Sequence, residues 1–344
     1  MKMKKNLVAI LSLTLMALLL IYPDYVSDSV VSSLKLCAFT VIPSLFPFAV
    51  TSNILIKSGS FSSDTAVAKL FSKCFNCSPS LFPIFISGVL GGYPIGAVSA
   101  AEMYKNCLCS KDEAEKVLSF CCFCGPSFII SAVGSSLLGN SKCGIYLYLC
   151  HFISAILTGI VLRPFFCKSF RTKIPSTQKT ISLPDCLTSA LKNASSSMIS
   201  VCSCIIFFSS ITAVLNAINA DYPYLTAILE MTSGVKELSS ANIRSPLLLP
   251  SISACIAFAG LSVHSQVISV CGQTDISTKP FFIGKTIHAI LAFFITFSSQ
   301  NLLGEKATIL INTSKHNGFF PVYLLTLLLF LGITYKKVWK YIAK

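Results

Sequence analysis

Residues 88–97 read Gly-Val-Leu-Gly-Gly-Tyr-Pro-Ile-Gly-Ala, four glycines and a proline inside an otherwise apolar segment. Such a run is incompatible with an unbroken helix. Relative to alanine, glycine costs about 1 kcal/mol and proline about 3 kcal/mol in a helix interior, and proline strips a backbone carbonyl of its donor. At membrane depth a break of this kind survives only where protein or a water-filled cavity satisfies the freed groups. A second break is predicted at Ala259-Gly260-Leu261-Ser262-Val263-His264-Ser265-Gln266, in an equally apolar setting. Paired breaks in two halves of a chain are a sequence pointer to a transport site.

The setting is membranous by composition: 53% of the 344 residues are hydrophobic and 12% charged, against roughly 25% charged in soluble domains. The length holds about eight to ten spans or half-spans of roughly 20 residues. The expected fold is all-α, a polytopic membrane helical bundle with two re-entrant or broken-helix hairpins in an internal repeat. The formal charge of +14 lies in the connections between apolar segments, not in one patch. That is the pattern of the positive-inside rule, and it argues against a nucleic-acid partner. The sixteen cysteines mostly fall inside apolar segments, where a thiol behaves as a small hydrophobe. Only Cys74-Phe75-Asn76-Cys77 has C-x-x-C spacing, with no companion pair at a zinc-site distance, so no metal is expected.

In chain order, residues 1–29 form a first, uncleaved span (6–22) and a short turn carrying Asp24 and Asp28. Residues 30–166 form a first membrane repeat: a span at 30–56 with Pro43 and Pro47, a hairpin near 81–101, a charged connection over 102–116, an apolar segment at 117–138 broken by Gly125-Pro126, and a span at 143–166. Residues 167–184 are a basic linker, predicted cytoplasmic with both chain termini. Residues 185–344 restate the layout: a helix at 186–218, a half-apolar segment at 222–238, a hairpin near 246–270, and spans at 281–303 and 319–335.

The N-terminus of a helix resuming after a break presents free N–H groups and a partial positive charge, so both interruptions suit an anion. Gly92, Tyr93, Pro94 and Gly96 shape the first; small residues there also serve close helix packing. Gly260, Ser262, His264 and Gln266 shape the second, and polar groups in hydrocarbon normally face the bundle interior. His264 is a proton carrier, a carboxylate ligand, or a histidine satisfied by a backbone carbonyl. Glu230, in Glu230-Met231-Thr232, is the one carboxylate of its apolar segment and a candidate proton relay or counter-ion. Lys35 reads as snorkelling, and His151, His288 and Arg163 as residues near helix ends. Gly260-x-Ser262-x-His264 lacks the last glycine of a nucleophile elbow, and no Walker, dinucleotide or His-Glu-x-x-His motif is present. No enzyme activity and no cofactor are expected.

Five short motifs in order resemble the YlbJ-type sporulation integral membrane proteins, whose membrane region carries a nucleoside recognition or gate domain: Pro43-Ser44-Leu45-Phe46-Pro47-Phe48, Gly92-Tyr93-Pro94-x-Gly96-Ala97, Gly125-Pro126-x-Phe128-Ile129, Glu230-x-Thr232-x-Gly234, and Gly260-Leu261-Ser262-Val263-His264-x-Gln266-Val267. The resemblance spans residues 30–288. It departs at Val98, where the family has lysine, and at Cys122 and Phe123, where it has asparagines; each departure removes a polar group. The resemblance implies a carrier of a small anion, dipicolinic acid, in the mother-cell or outer forespore membrane of an endospore former, with Gly125, Pro126, Ser127 and Thr232 joining the substrate-binding residues. Its alternative is a non-transporting scaffold of a sporulation complex, and a homo-oligomer is compatible with both.

Overall fold

The computed structural model describes residues 2–58, 65–165, 183–218, 222–241, 243 and 245–303. The basic linker and the span expected at 319–335 lie outside the described residues.

Among the described residues the chain is helical, without strands. Helix α1 (Lys2–Ile21) and α2 (Pro23–Leu36) meet at Tyr22 with a bend of 94°. The acidic turn expected around Asp24 and Asp28 is therefore the first part of α2; Pro23 sits at N1, where its missing N–H costs nothing. A π-helical turn, Cys37–Val41, joins α2 to α3 (Ile42–Ser58). Pro43 follows that turn and cannot donate to the ladder, which the widened turn accommodates. Lys35 is exposed.

Next come α4 (Ala66–Phe75), capped by the Thr65 hydroxyl, α5 (Phe82–Gly91) and α6 (Ile95–Lys105). Helix α7 (Lys111–Leu118) begins with a capping box formed by Ser110 and Glu113. Residues 119–125 are not helical; helical structure resumes at Pro126 and runs into a π-helix, Phe128–Leu137. Helix α8 (Ser141–Leu162) closes this half.

After the linker, α9 (Leu183–Ala217) runs the height of the bundle, packing on α2 and α3. Helix α10 (Pro223–Leu229) stops at Glu230, and α11 (Met231–Ser240) folds back on it, with Gly234 pressed against Ala227. Helix α12 (Ser245–Phe258) passes through the left-handed Ala259 into α13 (Gly260–Cys271), and α14 (Lys279–Ser299) follows.

Four helical stretches, Ser141–Phe165, Pro184–Ala217, Pro246–Cys271 and Lys279–Ser299, are long and apolar enough to cross a bilayer, or six if each sharply bent pair is one span. The interruption in 246–270 lies within one of these four stretches and is not among the sharply bent pairs. The folded-back element of the second half lies at α10 and α11.

Tyr146, early in α8, donates to the Thr296 carbonyl near the end of α14, so these two helices run antiparallel. The Arg163 end of α8 accordingly shares a face with the start of α14. On that face the connection 272–278 is fastened to α6 and α7: Tyr104 donates to Asp275 (2.6 Å), Lys111 pairs with Asp275 (3.2 Å), Lys105 donates to Gln273 (2.8 Å), and the Ser277 N–H donates to Glu115 (2.8 Å). Lys57 at the end of α3 pairs with Glu102 and donates to Ser189 at the start of α9.

Candidate functional site: a buried cation among broken helices

The four interruptions meet in pairs. At the first, Gly92 takes φ 76°, and a Cβ there would stand 2.7 Å from the backbone nitrogen of Gly125. The helices on either side are equally close to the non-helical stretch: a Cβ on Gly88 or Gly96 would lie 1.9 or 2.3 Å from the Cys121 carbonyl oxygen. Glycines here allow irregular backbone to thread between α5 and α6. At the second pair, Gly260, φ 66°, lies against Glu230 and Met231; a Cβ would stand 2.9 Å from the Met231 nitrogen.

Irregular backbone inside a membrane protein needs donors and acceptors from elsewhere, and buried side chains supply them. Lys285, one turn and a half into α14 and 1% exposed, donates from Nζ to the Cys122 carbonyl (2.7 Å), to the Tyr93 hydroxyl (2.6 Å) and to His288 Nδ1 (3.1 Å). His151 Nε2 accepts from the Cys124 N–H at 3.0 Å, and His288 Nε2 donates to the His151 carbonyl at 3.1 Å. The tautomers follow: His151 carries its hydrogen on Nδ1, His288 on Nε2, and both rings are neutral. The Tyr93 hydroxyl, accepting from Lys285, donates to the carbonyls of Ile256 (3.2 Å) and Ala257 (3.4 Å), freed where α12 ends at Ala259. One ammonium is therefore bonded to the 119–125 stretch, to the first break and, through a single hydroxyl, to the second.

The residues singled out in the sequence fall in different places. Gly92, Tyr93, Pro94, Gly96, Gly125 and Pro126 come together around the 119–125 stretch, whereas Ser127 is exposed. Glu230 is 2% exposed and accepts from the N–H groups of Thr232 (3.0 Å) and Ser233 (2.6 Å), capping α11 with its own carboxylate. Thr232 enters by its backbone. His264 directs Nδ1 at the Gly260 carbonyl (2.6 Å) and packs its ring among Phe258, Phe281 and Phe282, with centroids 4.7 to 5.1 Å away. Ser262 is fully buried, its hydroxyl without a partner among the described residues, and Gln266 is 3% exposed.

Two expectations are corrected. His151 and His288 do not lie near helix ends: each sits midway along its helix, 2% exposed. Lys285 was missed altogether. The available signal was a lysine between Gly284 and His288 within an apolar span, since an ionisable residue at membrane depth is a functional candidate by default. No cluster of three or more His, Cys, Asp or Glu side chains among the described residues is placed to hold a metal, and the cysteines among them are free.

These features define the chain as a multi-pass α-helical membrane protein with paired helix breaks about a buried polar cluster. It is 25% identical over 332 residues, 85% of this chain and 81% of the relative, to the sporulation integral membrane protein YlbJ of Bacillus subtilis (strain 168). That similarity agrees with the motif resemblance to the YlbJ-type sporulation integral membrane proteins. No family model matches the chain, and no solved structure does.

Proposed function

We propose that this protein carries a small anionic metabolite across a membrane of the sporulating cell, and that the anion is dipicolinate. One observation carries the reading. The Lys285 ammonium lies at the convergence of the breaks, and its three acceptors, a carbonyl, a hydroxyl and a neutral imidazole, bear no charge. A buried charge without a counter-charge is expensive. An arriving carboxylate supplies the missing charge, so the site favours an anion between the broken helices. The glycine-lined breaks of Gly92, Gly125 and Gly260 frame it, with Tyr93 and Pro94 shaping the first turn.

Dipicolinate, a planar dianion, is the cargo that the family resemblance implies, and the similarity to a sporulation membrane protein agrees with a sporulation setting. The direct test is counterflow: vesicles holding the purified protein and preloaded with unlabelled dipicolinate should take up labelled dipicolinate faster than protein-free vesicles. In a spore-forming host, deletion of the gene should leave dipicolinate synthesis intact and the spores depleted of it. Normal spore content together with no counterflow would reject the carrier and leave a scaffold role.

A further inference from the structure

We propose that Lys285 is a resident coupling cation: its ammonium occupies the place between the broken helices that a bound metal cation would take, so that transport answers to protons at this amine and not to sodium. The proposal rests on the carrier reading and adds to it what drives the cargo.

The acceptor set is the first ground. A main-chain carbonyl released from a helix, here Cys122, and a hydroxyl, here Tyr93, are ligands that small cations take at discontinuous helices. In this chain both point at Nζ, at 2.7 and 2.6 Å, and His288 Nδ1 completes the set at 3.1 Å. The three donors of an ammonium are matched by three acceptors.

The charge balance is the second. Helix α14 packs on α12, α8 and α7, and the titratable groups facing Lys285 are Tyr93, Cys122 and Cys124, His151 and His288, with Cys255 and His264 beyond them on α12 and α13. None is an acid. Glu230 is bonded to the N–H groups of Thr232 and Ser233, and Glu115 on α7 to that of Ser277. Two events relieve an uncompensated buried charge: arrival of an anion, or departure of the proton. Departure converts –NH3+ to –NH2 and one H+, which leaves to water on the open side; no electron moves.

That proton decides whether the breaks stay joined, which is the third ground. A neutral amine has two donors for three acceptors. The Cys122 carbonyl and His288 Nδ1 carry no hydrogen to give in return, so only Tyr93 can reverse its bond and donate to the amine. Doing so takes its hydrogen away from the Ile256 and Ala257 carbonyls. Loss of the proton thus breaks the link between the first interruption and the end of α12. Anion and proton arrive together and leave together, which is symport.

The test uses the full-length protein in vesicles, at about pH 7 and about pH 8, where both carboxyls of dipicolinate stay ionised. Uptake should accelerate when the outside is the more acid and should be unchanged by an inward sodium gradient at equal pH. Lys285→Arg, which keeps the charge but does not release its proton, should lose the response to the proton gradient whatever its basal counterflow rate. Sodium-driven uptake, or a Lys285→Arg protein that still follows the proton gradient, would overturn the proposal. The gradient comparison on the unaltered protein stands even if Lys285→Arg fails to fold. If no dipicolinate moves under any condition, the carrier reading fails on its own. The thermal unfolding profile of the purified protein against pH then decides the proposal: a step present in the native chain and absent in Lys285→Arg supports a titrating resident cation, and identical profiles reject it.

Discussion

Gly284 of α14 lies directly against the carbonyl of Ser119, where a Cβ would stand 1.8 Å from the oxygen. The obstacle is main chain and cannot swing aside. This contact sets the depth at which α14 enters the bundle, and so places Lys285, its neighbour, against Cys122. Gly284→Ala should push α14 outward at about 1 to 3 kcal/mol, the usual range for overpacking. Thermal unfolding in detergent should show a lowered midpoint, with Gly272→Ala, whose nearest contact would be 3.1 Å, as the milder control.

Tyr93→Phe removes one hydroxyl that serves two purposes. Lys285 loses an acceptor, and the carbonyls of Ile256 and Ala257 lose their donor. Leaving such groups buried and unpaired costs about 1 to 3 kcal/mol. Reduced stability should be accompanied by a fall in counterflow rate, because the ring alone cannot join the two breaks. Unchanged stability would mean that the hydroxyl does not bridge them.

His264 should not govern the pH dependence of transport. Its ring packs against three phenylalanines, and its Nδ1 is spent on the Gly260 carbonyl four residues back. His264→Gln is expected to weaken this packing, seen as a lower unfolding midpoint, while the uptake-against-pH curve, normalised to inserted protein, keeps its shape. A displaced curve would return the titrating role to His264.

The connection 272–278 should loosen in acid. Hydrogen bonds from Tyr104 first, and then from Lys111, hold the Asp275 carboxyl below its ordinary value. A carboxylate with a lowered folded value contributes stability that is complete above its unfolded value of 3.8 and is lost as pH falls through the lower folded one. Asp275→Asn should therefore raise hydrogen exchange across 272–278 at neutral pH, and the native chain should approach the same exchange only at strongly acid pH. Equal exchange in the two proteins at neutral pH would show that the contact holds nothing.

Exposed Cys107, between α6 and α7, belongs to the face that carries Gln273 and the Arg163 end of α8. With the lysine and arginine placement this face is predicted cytoplasmic. A membrane-impermeant thiol reagent should spare Cys107 in intact cells and modify it in inside-out vesicles; the reverse pattern would invert the topology.

The breaks were legible in the sequence because glycine and proline act locally: Gly92, Pro94, Gly125 and Gly260 each mark a real interruption. The break at Glu230 was not, since the carboxylate ends α10 by capping the next helix and no glycine or proline announces it. Why α12 and α13 continue as one stretch while α10 and α11 fold back was equally hidden, because the direction of a chain after a break is set by what it packs against, here Ala227 against Gly234. Lys285 was overlooked for a related reason. Its meaning depends on Cys122 and Tyr93, 163 and 192 residues away, and spacing along one helix says nothing of partners on others.

Glu230 has a consequence for any anion that reaches the second pair of breaks. The start of α11 is held by a carboxylate on the same chain, two and three residues from the N–H groups it binds. A tethered group of this kind competes at an effective concentration of about millimolar or more, so a freely diffusing acid well below that level does not displace it. Glu230 thus occupies the helix end that a free carboxylate would otherwise find, and closes that end to anions from solution.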